Sequence, residues 1–194
     1  NGFIIKGKRV TGVKYDQGSL EADEVVVATG SWSRGVLSEL DISIPMMPGR
    51  GYSITVNDFV HGFNYPAILV EGRVAVTPFT STSIRFGGTM EITSHQTPPR
   101  LNRVQGIVNA VKRYYPDLAL SVPPLEKVWY GYRPCSADGL PYIGRVAAYS
   151  NLTVATGHSM LGLSLGAGTG KLVAEIIDHL PLSMDITPFA VDRF

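Results

Sequence analysis

Apolar and polar positions alternate from the start of the chain. Phe3 to Ile5, Arg9 to Tyr15 and Ser19 to Ala22 each carry the two-residue period of a strand, with Gly7-Lys8 and Asp16-Gln17-Gly18 as turns. They predict a short antiparallel meander. Val25-Val26-Val27-Ala28 is continuously apolar and β-branched, the pattern of a strand buried on both faces of an α/β sheet, and it runs into Thr29-Gly30. Ser31 or Ser33 is placed to cap a short helix reaching Leu40. From Gly51 the pattern becomes strands and hairpins: Tyr52 to Val56, Ala67 to Val70, Val74 to Pro78 and Ile84 to Glu91, with Glu71-Gly72 as a turn. Between Arg100 and Tyr115, residues Leu101, Val104, Val108, Val111 and Tyr115 recur at helical spacing and predict a helix packed on that sheet.

Leu125 to Tyr132 reads as a further strand, and Asn151 to Thr156 as a second buried one ending in Gly157. A helix follows in which Leu165, Leu172, Val173, Ile176, Ile177 and Leu180 share a face, while Gly166, Ala167, Gly168 and Gly170 permit close approach to a sheet. There is no internal repeat and no low-complexity segment.

Composition narrows the function classes. The 194 residues are 44% hydrophobic and 17% charged, an ordinary globular balance. A net charge of +1, without a run of Lys or Arg, gives no electrostatic footprint for nucleic acid. The single cysteine, Cys135, excludes an intrachain disulfide and a thiolate-rich metal site and is compatible with a reducing compartment. The four histidines are scattered and show no metal-ligand spacing. No apolar run reaches the length of a bilayer span, and the start has neither an initiator Met nor a signal-peptide apolar region. The chain is therefore expected to begin inside a longer protein.

Two places carry candidate chemistry. In GYRPCSADGLPYIG, Gly131 to Gly144, Arg133 stands among apolar and aromatic residues with no acidic neighbour before Asp138. A guanidinium is always charged and presents a planar fork of donors, so it needs a carboxylate or phosphate partner. A ligand could supply that partner; a surface position or an internal ion pair is the plainer alternative. The second place is a pair of strand ends, VVVATGSWS (Val25 to Ser33) and TVATGHSMLGLSLGAGTG (Thr153 to Gly170), each with Ala-Thr-Gly at the carboxyl end. Ligands of open α/β sheets bind at that edge. The glycines after the second strand permit close backbone approach, and the following helix offers unpaired N–H groups; tight packing alone would also account for them.

Read in order, these motifs together with PGRGYS (Pro48 to Ser53), RVAVTPF (Arg73 to Phe79), IRFGGTMEI (Ile84 to Ile92) and the ending PFAVDRF resemble the flavin-dependent D-amino-acid oxidase superfamily, most closely its D-amino-acid dehydrogenase branch. The likeness covers essentially the whole chain. It implies a mixed α/β fold: part of a glutathione-reductase-like FAD-binding domain, residues 1–47 and 133–194, with an antiparallel-sheet substrate domain and packed helix, residues 48–132.

It also implies FAD as cofactor and oxidative deamination of an amino acid, a D-amino acid in the named branch, by hydride transfer from the α-carbon. Arg133 then pairs with the substrate carboxylate. The run Gly157, His158, Ser159, Met160, Leu161, Gly162, Leu163, Ser164 resembles the flavin-contacting loop, and Thr29, Gly30 and Trp32 the strand-end residues beside the cofactor. Tyr52 either lines the substrate pocket or faces the core. Trp129, Tyr130 and Tyr132 are pocket-wall candidates of which alternation puts about half on one face. His158 reads as a packing or hydrogen-bonding residue rather than a proton carrier. Cys135 is offset from the position of covalent flavin attachment and reads as a packing residue.

The family's Gly-x-Gly-x-x-Gly fingerprint is absent, so the chain is expected to be the carboxyl-terminal portion of a longer flavoenzyme, inactive alone. The implied partners are a small amino-acid substrate and an electron acceptor, whether oxygen, a quinone or an electron-transfer chain. The implied location is cytoplasmic, with peripheral attachment at the inner face of the bacterial membrane as an open alternative. A non-catalytic amino-acid-binding module, or a subunit completed by another chain, is the competing function.

Overall fold

A computed structural model describes residues 2–194, which divide into two compact units, 2–48 with 133–194 and 49–132. In the first unit, β1 (Gly2–Lys6), β2 (Arg9–Tyr15) and β3 (Gly18–Glu21) form the antiparallel meander, in that order. A second sheet is ordered β10 (Tyr142–Arg145), β11 (Leu152–Thr156), β4 (Val25–Val27), with β11 antiparallel to β10 and parallel to β4. The parallel register sets Leu152 against Val25 and Val154 against Val27, burying all four. Val26 departs from the two-face expectation: it is 39% exposed, so β4 is covered on one face.

Asn151 fastens the two sheets together. Its side chain is fully buried, donates to the Val10 and Asp23 carbonyls at 2.7 Å each, and accepts from Val10 N–H at 2.9 Å. Nothing in the local pattern announces this role, because the three backbone groups it satisfies lie more than a hundred residues away.

A 3-10 turn at Gly30–Trp32 leads into α1 (Ser33–Ser38). Neither Ser31 nor Ser33 caps a helix; both are buried and no side-chain cap bond forms. The Ser33 hydroxyl is committed to another strand end instead. The apolar face expected for the last helix, α3 (Gly162–Ile177), is also only partly covered: Leu172 is buried, whereas Leu165 is exposed, and Leu180 is exposed and lies beyond the helix. No helix of the described residues is long and apolar enough to cross a membrane.

The five-stranded sheet has the order β6 (Ala67–Leu69), β7 (Val74–Thr80), β8 (Ser83–Ile92), β5 (Met46–Val56), β9 (Trp129–Ser136). Helix α2 (Leu101–Tyr114) adds Val104, Ile107, Val108 and Val111 to a core with Tyr52, Ile54, Val74, Val76, Ile84 and Phe86. Leu101, expected on that face, is exposed. Three boundaries differ from the sequence reading. β5 starts at Met46, before Gly51, so PGRG lies within the strand. Residues Leu125–Lys127, read as the start of a strand, form a 3-10 turn, while β9 extends through Arg133 to Ser136, and Tyr142–Arg145, left unassigned by the pattern, pairs as β10. Long-range pairing sets these bounds, which local pattern does not contain.

Strand β8 changes phase at Thr89. Ile84 and Phe86 face the core, and strict alternation would bring Met90 inward and turn Glu91 out. Instead the pairing with β5 steps from Tyr52 opposite Gly88 to Arg50 opposite Glu91, and Thr89 takes a left-handed conformation with φ of 59°. Thus Glu91 is buried and Met90 exposed. A β-bulge has set an acid beside the fully buried Arg50.

Asn151→Ala should destabilise the protein by about 3 kcal/mol or more, since two carbonyls and an N–H would lose their partner while buried. Urea denaturation at neutral pH measures it; a loss below about 1 kcal/mol would mean that water or rearrangement satisfies these groups.

Candidate functional site

The two Ala-Thr-Gly strand ends meet. Thr29 Oγ1 lies 3.0 Å from Ser33 Oγ, Ser33 Oγ donates to Thr156 Oγ1 at 2.9 Å, and Thr156 Oγ1 donates to the Gly30 carbonyl at 3.1 Å. With the Ser33 hydrogen spent on Thr156, Thr29 donates to Ser33. A chain of hydroxyls thereby locks the turn after β4 to the end of β11. Thr29 and Trp32 are exposed, and Gly30 has φ of 57°, with open space where a Cβ would stand.

Gly157 ends β11 with φ of 84°, and a Cβ there would lie 3.0 Å from the Tyr142 ring. The chain then crosses β9. His158 bridges to Cys135, Ser159 N–H donates to the Pro134 carbonyl at 2.9 Å, and Cys135 Sγ stands 3.6 Å from Ser159 Oγ. Ser159 accepts φ of 50° to make this crossing. Hence the residues following Arg133 are stitched to the glycine-rich loop.

His158 Nε2 is 2.8 Å from Thr169 Oγ1, and burial holds the imidazole below its ordinary pKa, so the ring is neutral near pH 7. It braces the loop on α3. Met160, Leu161 and Leu163 are exposed, Leu163 almost completely at 99%. Helix α3 begins at Gly162 with no side-chain cap and no acid in its first turn. The first-turn N–H groups are open and the positive end of the helix dipole is uncompensated.

Arg133 is half-buried in β9. Its Nη1 is buried, and among the described residues nothing accepts a hydrogen bond from it. The nearest acid in sequence is taken: Asp138 makes a forked pair with Arg193, at 2.8 Å to Nε and 2.9 Å to Nη2, and Arg193 also donates to the Leu140 and Ala190 carbonyls. That pair ties the carboxyl terminus to the segment after β9. Arg193, its hydrogen bonds foremost, lowers the Asp138 pKa to about 2.

Tyr52 lies in the core of the other unit, 1% exposed. Its hydroxyl donates to Glu91 Oε2 at 3.0 Å and accepts from Arg100 N–H at 3.0 Å. Motif reading singled out Arg133 and the two strand ends but missed Ser33 and Thr156, which join them, and the Arg50–Glu91 pair. Ser33 had a local role available as a cap, and that role hid the distant one.

Comparison with known proteins bears on this arrangement. Residues 1–176 match the family model described as FAD dependent oxidoreductase. The chain belongs to that family. It is 33% identical over its full length to a D-amino acid dehydrogenase of Granulibacter bethesdensis, covering 46% of that protein. It is 34% identical over 99% of its length to a D-amino acid dehydrogenase of Bradyrhizobium diazoefficiens, covering 45% of it. The chain thus spans less than half the length of these curated relatives. Among solved structures it superposes on L-proline dehydrogenase from P. horikoshii with a TM-score of 0.86, at 24% identity over 100% of this chain and 53% of that one. Glycine oxidase from Geobacillus kaustophilus gives 0.79, at 24% identity over 94% and 49%. These structures share the fold.

FAD is the family's cofactor, and the residues present fit it. The carboxyl ends of parallel strands, the open space at Gly30 and the uncapped start of α3, free of acidic side chains, form a surface able to meet the carbonyl-rich edge of a flavin.

Asp138→Asn should cost about 1–2 kcal/mol at pH 7, the pair being partly exposed and screened. Because the folded pKa is depressed, this stability is fully present above the unfolded value near 4 and is lost as pH falls through about 2. Wild type and variant should therefore converge on acidification; a difference that persists at pH 2 would assign the effect to something other than the carboxylate charge.

Proposed function

We propose that this chain is the carboxyl-terminal part of an FAD-dependent enzyme that oxidises the α-carbon–nitrogen bond of a D-amino acid. On this reading residues 133–194 with 1–48 contribute to FAD binding, and residues 49–132 belong to the substrate domain. The observation that carries the proposal is Arg133: a guanidinium nitrogen buried without an acceptor, on the strand whose next residues are hydrogen-bonded to the glycine-rich loop. A buried donor without an acceptor is costly, and a ligand carboxylate removes that cost while gaining a two-pronged contact. Relatives named D-amino acid dehydrogenase support this choice of substrate class.

Arg133 holds the substrate carboxylate and so orients the α-carbon. FAD, when bound, accepts the hydride that leaves that carbon. The amine, bound neutral, gives up its proton to water, and hydrolysis of the imino acid yields the keto acid and ammonia. The open N–H groups at Gly162, Leu163 and Ser164 favour negative charge, so the start of α3 would hold an electron-rich part of the cofactor. Thr29, Gly30 and Trp32, with Gly157 to Ser164, form the cofactor-side wall. His158 braces that wall through its Nε2 contact with Thr169. Tyr52 makes no substrate contact, its hydroxyl hydrogen being held by Glu91. The 194-residue chain alone is inactive on this reading.

In the full-length enzyme, Arg133→Ala should retain flavin and lose at least tenfold, up to several hundredfold, in kcat/KM for amino acids, the worth of a charge-assisted fork of about 1.5–3 kcal/mol or more. Amides of the same amino acids, lacking the carboxylate, should react poorly with wild type and lose little further in the variant. Equal losses on acid and amide would show that Arg133 supports the fold or the flavin, and the reading would fail.

A further inference from the structure

The most elaborate buried polar cluster in the molecule is not explained by the proposed chemistry. Arg50 and Glu91 pair at 2.9 Å, fully and almost fully buried. Arg50 also donates to the Thr97 and Pro98 carbonyls, at 2.6 and 2.9 Å. Glu91 takes the Tyr52 hydroxyl on Oε2 and meets Arg100 Nη1 at 3.2 Å on Oε1. Burial alone would raise the Glu91 pKa, but the hydrogen bonds from Arg50 and Tyr52 and the charges of Arg50 and Arg100 outweigh it, so the carboxyl stays ionised.

Such a pair is weak evidence for stability, because desolvation offsets its attraction. Its neighbours suggest another use. The Arg50 guanidinium lies 5.8 Å from the centroid of Tyr130 and 5.4 Å from that of Tyr52, and it is hydrogen-bonded to the Tyr132 side chain. Tyr130 and Tyr132 meet edge to face at 6.2 Å. Tyr132 also donates its hydroxyl to the His95 carbonyl at 3.1 Å, with the two rings 4.7 Å apart. Both tyrosines of β9 are therefore gripped on the Arg50 side. Side chains alternate along a strand, so Arg133, joined directly to Tyr132, leaves β9 on the opposite face.

We infer that Arg50 and Glu91 are positioning residues for Arg133: by holding Tyr130 and Tyr132 they fix the rotation of β9 about its axis, and with it the direction of the carboxylate clamp. The bulge at Thr89 is the strained device that makes the pair, since without it Glu91 would face away from Arg50. The inference rests on the reading of Arg133 given above. A clamp misdirected by about an ångström is enough to cost a large factor in rate with the fold intact.

The test uses the full-length, flavin-loaded enzyme and the ratio of kcat/KM on an amino acid to that on its amide. Arg50→Met with Glu91→Met removes both charges together at similar volume, so that neither is left buried and unpaired, and its ratio is read on protein whose circular dichroism spectrum matches wild type. Its acid-to-amide ratio should fall at least tenfold with flavin retained. Tyr132→Phe, which loses only a hydroxyl and will fold, should lower the ratio at least threefold, whereas Tyr114→Phe, a hydroxyl bound to the exposed Glu71, should leave it unchanged. A wild-type ratio in Tyr132→Phe, or in the double variant, would overturn the inference and leave the pair a structural one. Failure of the underlying reading looks different, for then Arg133→Ala itself would leave the ratio unaltered.

Discussion

The parallel pairing of Leu152–Val154 with Val25–Val27 is the constraint on which the candidate site depends. It joins strands from opposite ends of the chain, and a parallel pair cannot be closed by a tight turn, so everything between must form a separate excursion. Once the pair exists, two Ala-Thr-Gly ends lie side by side and Ser33 can reach Thr156, which in turn reaches the Gly30 carbonyl. The hydroxyl chain does little for overall stability. Its effect is to give two glycine turns, each otherwise conformationally free, one relative arrangement.

Polar groups organise the excursion as much as apolar ones do. Its core is a sheet face covered by α2, which ordinary hydrophobic burial accounts for. Superimposed on it is a charge pair with no access to water, reaching the loop before α2 through two carbonyls and the aromatic side chains of β9 through its guanidinium. Such a pair adds little net stability, because the cost of removing both charges from water offsets their attraction. The contrast with Arg133 is informative: the buried Arg50 donates to Glu91 and to the Thr97 and Pro98 carbonyls, whereas the half-buried Arg133 keeps Nη1 without an acceptor among the described residues.

Strand and helix identity followed from local pattern wherever one face was buried and one solvated. The meander, the β7–β8 hairpin and α2 are such cases, since burial of alternate or every third-to-fourth residue writes its period directly into the chain. Pattern failed where pairing partners are remote. Tyr142–Arg145 is only four residues long and shows no clear period, yet it is held as a strand by β11. Glu91 looks solvent-facing by alternation, yet the bulge at Thr89 reverses it.

The amino-acid order by itself determined the existence of the two glycine-terminated buried strands, the isolation of Arg133 from any adjacent acid, and the family to which these motifs belong. Tertiary structure alone decided that Asp138 goes to Arg193 and not to Arg133, that Ser33 serves a strand end rather than a helix cap, and that Tyr52 spends its hydroxyl on Glu91. The physical reason is the same in each case. A polar side chain has several partners of nearly equal strength available, and which one it takes depends on distances that only the folded chain establishes.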